Sequence, residues 1–537
     1  MDATVVHTLI AIVVLLLISR ALWYLVWRPY SVARRFEQQG IRGPPYKLVV
    51  GSLWDIKQML VARRAKGALD IGNHDYTSRV SPFFHKWTSD YGKTFLYWLG
   101  PIPAISSTDT ELVKQVLDDR TTLFQKDYLN PSMEMIFGKG LLTTNGDEWK
   151  RHRRIVYPIF SQEKLKSVSA MTSEDTHKMI EQWCTQIEKM NGHQAEIDMR
   201  CYSDDLTLAV IERVIFGENC KEAREVFIAG KEGQKLAVYA FADPPIPGFR
   251  YLPTRRNFQL WKINKLATSK ITHLIKTRLV RGVSGDDLLR LMLEAYMSKE
   301  VEPLSTEEMV GECKTLFAAG QDTGASLLTW GMFLLSNYPE WQEKLREEVL
   351  RECQGDGEAP SIDVLSKLKL LNMFLLETLR LYSPVPFLMR KTAYDTTLAN
   401  IKVPKGTMIT IPVMMLHRCK VIWGLDVDEF NPMRFEKGIS RAAKNMHKLW
   451  AFSYGPRGCP GRNYAMIQVQ TVMAMVLRRF SFSLSSRYVH MPMYYITLVP
   501  RYGLPLIVQN LVDDEKNDIC DSEGSTQVSK LGSWLWT

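Results

Sequence analysis

The sequence predicts a mainly α-helical protein with minor β structure, held behind an N-terminal membrane-spanning helix. Three observations predict it. The stretch from Val5 to Trp27 is almost wholly apolar. Beyond it, runs with helical periodicity dominate, through Trp149 to Phe160, Glu307 to Ser336 and Trp341 to Glu352. Strand-like pieces are shorter and cluster near residues 93–106, 398–412 and 493–509.

Taken in order, residues 1–28 read as a membrane anchor. A spanning helix needs roughly 20 apolar residues, and this run supplies them. Ser19 and Arg20 interrupt it, so a cleaved signal peptide and a tilted interfacial helix are the alternatives. Against cleavage, Asp2 precedes the run where basic residues belong, and Trp23, Trp27 and Arg28 follow it where small residues belong. Arg28, Arg34 and Arg35 just past the span place the body on the cytosolic side. Residues 29–50 form a basic, proline-rich hinge in which Gly43-Pro44-Pro45 makes a stiff, non-helical elbow. No internal repeat or composition shift divides residues 51–509, which read as one domain, and residues 510–537 read as a polar tail.

The 537 residues, 46% hydrophobic and 23% charged, describe a globular body with a large core. The net charge of +10 would suit nucleic acid, an anionic membrane face or an acidic partner. Nucleic acid fits poorly, because the basic residues are dispersed and no zinc-finger, basic-zipper or RNA-binding signature occurs. Eight widely spaced cysteines without a C-x-x-C pair form neither a disulfide framework nor a structural zinc site. Most read as small buried apolar residues in a reducing compartment.

Cys459 is set apart by its surroundings, Phe452-Ser453-Tyr454-Gly455-Pro456-Arg457-Gly458-Cys459-Pro460-Gly461. Its glycines let the backbone turn tightly and approach a flat ligand. A helical run starts near Arg462, so Cys459 falls just before a helix N-terminus, where free amides favour a thiolate. Such a sulfur is a suitable axial ligand for a haem iron, and Arg457 is placed to reach a carboxylate of the same cofactor.

Phe452, Gly455, Arg457, Cys459 and Gly461 match every fixed position of the haem-binding signature of the cytochrome P-450 superfamily, and the chain resembles that family from the anchor to about residue 509. The resemblance implies the cytochrome P-450 fold, a large helical domain plus a small β-rich region. It implies haem b (iron protoporphyrin IX) with Cys459 as the metal ligand, and Phe452, Gly455, Arg457 and Gly461 as cofactor-binding residues.

Ala319-Gly320-Gln321-Asp322-Thr323 lies within a long helical run, where a glycine costs about 1 kcal/mol relative to alanine. On spacing alone, a solvated Asp beside a Thr bonded to its own backbone explains the pair equally well. The apolar flanks Leu316, Phe317, Ala318, Leu327 and Leu328 predict a buried helix whose polar groups need a reason. By resemblance, Asp322 and Thr323 are the catalytic acid and alcohol that relay protons to bound oxygen. Gly324 departs from the Thr or Ser common at that place, which predicts a locally looser helix.

Glu377 and Arg380 have the i, i+3 spacing of any surface ion pair. In the family they form a structural triad with a later arginine, here Arg434 within Phe430-Asn431-Pro432-Met433-Arg434-Phe435. Trp149 and Arg153 share one helix face, and the family uses them, with the equivalent of Arg390, to bind the haem propionates. His152 and His417 are better read as buried histidines than as axial ligands, since the thiolate takes one side of the iron and oxygen the other.

The segments that contact substrate in the family are the loop before Trp149, Thr315 to Asp322, Val385 to Met389 and Met493 to Leu498. Here they are rich in Phe, Leu, Met, Val and Tyr, which implies an apolar pocket for a lipophilic small molecule. Gly40-Ile41-Arg42-Gly43-Pro44-Pro45-Tyr46, Leu327-Leu328-Thr329-Trp330 and Trp341-Gln342-Glu343-Lys344-Leu345-Arg346 resemble the plant 72 clan, most of all its 709 family. Fatty-acid hydroxylation leads among the activities implied, with hydroxylation of a cytokinin, gibberellin, brassinosteroid or terpenoid as the alternative. No flavin or nicotinamide fingerprint occurs, so electrons come from outside. The resemblance implies NADPH–cytochrome P-450 reductase as donor, with a cytochrome b-type protein as a second one. It also implies a single-pass location in the endoplasmic reticulum membrane, with O2 as co-substrate. A haem-thiolate isomerase or dehydratase, and a haem sensor, are the rival classes; neither needs the acid–alcohol pair.

Overall fold

The computed structural model describes residues 3–63, 67–127, 131–190, 192–217, 221–239, 251–298, 302–353, 359–443 and 449–511. Residues 512–537, most of the expected polar tail, lie outside the described residues.

The apolar N-terminus forms the helix Ala3–Leu22, a π-helical turn at Trp23–Trp27 and the helix Arg28–Glu37 in unbroken succession. Thr4–Glu37 is long and apolar enough to cross a membrane. Helix therefore continues into the expected hinge, and its last two turns bury Val32 and Phe36 in the core around the largest sheet. The chain leaves helix only at Gln38–Gly40. The Gly-Pro-Pro elbow is docked: the Leu96 amide donates to the Arg42 carbonyl at 3.0 Å, and a Cβ on Gly43 would strike the Leu96 backbone.

A five-stranded sheet runs Thr94–Leu99, Ile102–Ser107, Met408–Pro412, Phe387–Thr392, Phe124–Gln125 across its width. The first two strands form a hairpin paired from Thr94↔Ser107 to Leu99↔Ile102. Its two-residue turn opens on Gly100 at φ +62°, which a primed hairpin turn requires. Ile102–Ser107 and Met408–Pro412 pair in parallel. A second sheet joins Gln194–Asp198, Pro505–Asn510 and Phe480–Leu484.

Helices make up the larger part. The central helix, Thr306–Asn337, spans 32 residues. Ser305 opens it with a capping box, accepting from the Glu308 amide while Glu308 reaches back to the Ser305 amide. Pro339 opens the next helix directly after Tyr338. Leu327, Leu328, Trp330, Phe333, Leu334 and Leu335 are all buried, so the helix crosses the core rather than lying on it. Against it pack the helix Met199–Phe216 and the helix Arg462–Arg479, which begins three residues after Cys459.

Candidate active site

The Cys459 loop is built from backbone bonds. A 3-10 turn at Trp450–Phe452 and another at Gly455–Arg457 fold it back, so that the Cys459 amide donates to the Phe452 carbonyl at 2.8 Å and the Gly458 amide to the Gly455 carbonyl at 2.9 Å. Gly455 has φ +70°, and a Cβ there would run into the Leu117 carbonyl and stand 2.9 Å from Asp118 Cα. The neighbouring backbone thus requires glycine at this position. Gly461 is the N-cap of the helix Arg462–Arg479, and its amide bonds the Cys459 sulfur. Cys459 is exposed, yet burial pushes its thiol up, against the Gly461 amide and the cations Lys126, Arg153 and Arg462. Both statements hold when the sulfur faces a recess inside the molecule. The helix end and these cations favour the thiolate while burial opposes it; a haem iron would take the sulfur as its thiolate.

Around the sulfur stand cations. Arg457 lies 4.6 Å from the Trp149 ring and Arg153 5.4 Å from it, so Trp149 ties the loop to the helix Gly146–Val156 by cation–π contacts. Arg457 donates to the Thr144 carbonyl at 2.8 Å. Arg390, on the strand Phe387–Thr392, donates to the Met389 carbonyl at 2.8 Å and leaves Nη2 buried without an acceptor among the described residues. Burial, Arg390 and Arg153 push Arg457 down to about 9; burial, opposed by Asp119, takes Arg390 to about 10. Lys126 belongs to the same group, lowered well below its ordinary value by burial and by Arg390 and Arg457. The Asn145 side chain holds it there, bonding both the amide and the carbonyl of Lys126. A lone lysine after a two-residue strand carried no signal in sequence.

Among the described residues no carboxylate forms an ion pair with Lys126, Arg153, Arg390 or Arg457. Buried like charges repel and cost desolvation, so such a set persists where a polyanion completes it. The two propionates of a haem, with Cys459 beside them, fit that set, and the orphaned Arg390 Nη2 is the atom that asks for one.

On the central helix the acid and the alcohol are already engaged. Asp322 Oδ1 lies 2.9 Å from Arg200 Nη2, and Oδ2 accepts from Thr497 Oγ1 at 2.6 Å. Arg200 also pairs with Asp204 at 2.8 Å, which takes Lys231 at 2.6 Å. Thr323 Oγ1 donates to the Ala319 carbonyl at 2.6 Å. Ala319 is exposed within this buried helix, and Thr323, one turn on, is half-buried. The glycines gain a reason. A Cβ on Gly320 would stand 2.7 Å from Ile211, and one on Gly324 would stand 2.8 Å from Gln468. Gly324 thus lets the helix Arg462–Arg479 approach closely; it marks tight packing, not the loosened helix its sequence predicted. Neither Arg200 nor Thr497 was visible in sequence, since each lies far from Asp322 along the chain.

Glu377 and Arg380 are fully buried and bonded twice, at 2.7 and 2.8 Å. Arg380 also donates to the carbonyls of His417, Val427 and Glu429. Arg434 comes within 3.7 Å of Glu377 but bonds Asp426 more closely, at 2.8 Å. Asp426 is the partner that sequence did not supply. His152 Nδ1 lies 2.5 Å from Glu312, and His417 Nε2 accepts the Trp450 amide at 3.1 Å. Both rings thus have partners other than iron.

The family model described as Cytochrome P450 matches residues 71–501. The chain is 40% identical to Cytochrome P450 709B1 of Arabidopsis thaliana over 515 residues, 94% of this chain and 99% of that protein. Cytochrome P450 734A1 of Arabidopsis thaliana is 35% identical over 516 residues, covering 94% and 97% of the two chains. Secologanin synthase 1 of Catharanthus roseus is 36% identical over 528 residues, covering 95% and 99%.

Proposed function

The chain belongs to the cytochrome P450 family of monooxygenases, and on that premise we propose that it hydroxylates a fatty acid within its chain, using electrons from NADPH passed on by a separate cytochrome P450 reductase. The anchor would hold it in the endoplasmic reticulum membrane with the body in the cytosol, as Arg28, Arg34 and Arg35 favour.

The observation that carries the reading is the uncompensated set Lys126, Arg153, Arg390 and Arg457 around Cys459. In it Cys459 would ligate the iron and the four cations would hold the propionates. The haem, when bound, supplies dioxygen activation. The rest falls to this chain's own side chains. Asp322 would take up a proton at its carboxylate, and Thr323 Oγ1 would pass it on by turning away from the Ala319 carbonyl, with Arg200 holding Asp322 Oδ1 in place. The substrate reading rests on the buried cluster of Ile136, Phe137, Leu260 and Ala318, packed by Met135 and Ile496. It joins three of the segments expected to meet substrate and offers an alkyl chain an apolar bed.

The test is reconstitution of the full chain with reductase, NADPH and 18O2, screened by mass spectrometry against fatty acids and plant hormones. One labelled oxygen in a fatty acid is expected. Rearrangement of a hydroperoxide without NADPH would favour an isomerase or dehydratase, and no turnover of either kind a sensor. A hydroxylated hormone or terpenoid is the second reading, favoured by the likeness to Secologanin synthase 1 extending over 95% of the chain. Within the relay, Thr323→Ala should release peroxide in place of product; unchanged coupling would remove Thr323 from it.

A further inference from the structure

The turn between the strands Pro492–Tyr494 and Leu498–Pro500 faces two ways. Ile496 packs on the apolar cluster of Ile136, Phe137 and Ala318, while its neighbour Thr497, buried to 1% exposure, donates to Asp322 Oδ2 at 2.6 Å. The central helix grips the same turn again one and two helical turns further on. Ser326 Oγ donates to the Leu498 carbonyl at 2.6 Å, and Trp330 Nε1 to the same carbonyl at 2.9 Å. Asp322, Ser326 and Trp330 are spaced by four residues and so share a face. The Leu498 amide in turn donates to the Pro384 carbonyl at 3.0 Å.

We propose that Thr497 is a positioning residue for the reaction: from the turn whose Ile496 meets the substrate bed, it holds one oxygen of Asp322 while Arg200 holds the other. The inference rests on the proton-relay reading of Asp322 and Thr323. The physical reason is geometric. Arg200 shares one nitrogen, Nη2, between Asp204 and Asp322 and so fixes only Oδ1 of Asp322. Thr497 takes Oδ2, so the carboxylate is held at both oxygens and stays oriented on the central helix. Because Ser326 and Trp330 secure the turn independently, Thr497→Val removes this one bond and leaves the turn seated.

The test uses full-chain holoenzyme with reductase and dodecanoic acid as probe. Thr497→Val should lower product formed per NADPH consumed about tenfold, the order carried by one hydrogen bond to a charged group, with peroxide making up the difference. The dissociation constant for dodecanoic acid should stay unchanged, and Thr497→Ser should restore coupling. A second readout needs no turnover. The infrared stretch of carbon monoxide bound to the reduced enzyme senses polar groups above the iron, and it should move in Thr497→Val in the same direction as in Asp322→Asn. It decides the matter even where dodecanoic acid is not oxidised. If Thr323→Ala uncouples the enzyme while Thr497→Val keeps both wild-type coupling and the wild-type stretch, the role of Thr497 is overturned and the relay stands. If Thr323→Ala also stays coupled, the relay falls and this inference with it.

Discussion

Arg380 and Arg434 each sit with a carboxylate, whereas Arg153, Arg390 and Arg457 sit with one another. Both groups are largely removed from water, so both cost desolvation. In the first, Glu377, Asp426 and backbone carbonyls offset that cost within the chain. In the second no carboxylate among the described residues forms an ion pair, and the carbonyls of Thr144 and Met389 with the Trp149 ring offset only part of the cost. A closed cluster of charge stabilises the fold whether or not a ligand is present; an open one trades stability of the ligand-free protein for affinity. The contrast separates the two kinds of arginine better than their spacing in sequence could.

Glu377→Gln should have the largest effect, because it strands the buried Arg380 guanidinium without its counter-charge. A loss of about 3–5 kcal/mol is expected, seen as failure to accumulate folded protein. Normal yield and melting temperature would mean that the carbonyls of His417, Val427 and Glu429 suffice for Arg380, and the cluster would not be closed by charge. Arg457→Met should behave in the opposite way. Ligand-free protein should be no less stable, since a source of repulsion is gone, while the bound haem should be held more weakly by about 2 kcal/mol, read as roughly thirtyfold faster loss to an apo-globin scavenger. Destabilised ligand-free protein would show that Arg457 serves the fold.

The same division explains what sequence disclosed. The Cys459 loop was legible because its parts are contiguous: two 3-10 turns, a positive-φ glycine and a helix start fall between Trp450 and Arg462. The central helix was placed by its periodicity to within a residue at each end, and the structure fixes those ends with Ser305 and Glu308 at the start and Pro339 beyond the finish. Arg200 and Thr497 stand 122 and 175 residues from Asp322, and no local pattern joins them. Lys126 enters its site only because Asn145, across an intervening segment, holds its backbone. The strand Phe387–Thr392 escaped notice because its face pattern does not alternate; it pairs on both sides within the sheet, and pairing rather than periodicity makes it a strand. Gly320 was read from helix propensity and Gly324 as a departure from the family's Thr or Ser, whereas neighbouring helices dictate both.

A smaller effect tests where the closed cluster ends. His417 is fully buried, donates to no carboxylate among the described residues and offers its carbonyl to Arg380. Burial, with Arg380 adding to it, lowers its pKa to about 3, so the folded protein keeps the ring neutral where the unfolded chain protonates it. Below the ordinary value near 6.5 the unfolded state binds the extra proton, so stability falls as pH falls, by about 1 kcal/mol over the first pH unit for this one group. His74, at about 3, and His490, at about 4, add slopes of the same sign. Replacing His417 by Gln removes one share of the slope between pH 6.5 and 5.5 and keeps a side chain that can accept the Trp450 amide. A melting-temperature profile that loses part of its acid limb in His417→Gln places this histidine inside the closed cluster, under the field of Arg380. An unaltered limb would mean that His417 gains its proton in the folded state, and that the cluster admits charge at the edge where it meets the Cys459 loop.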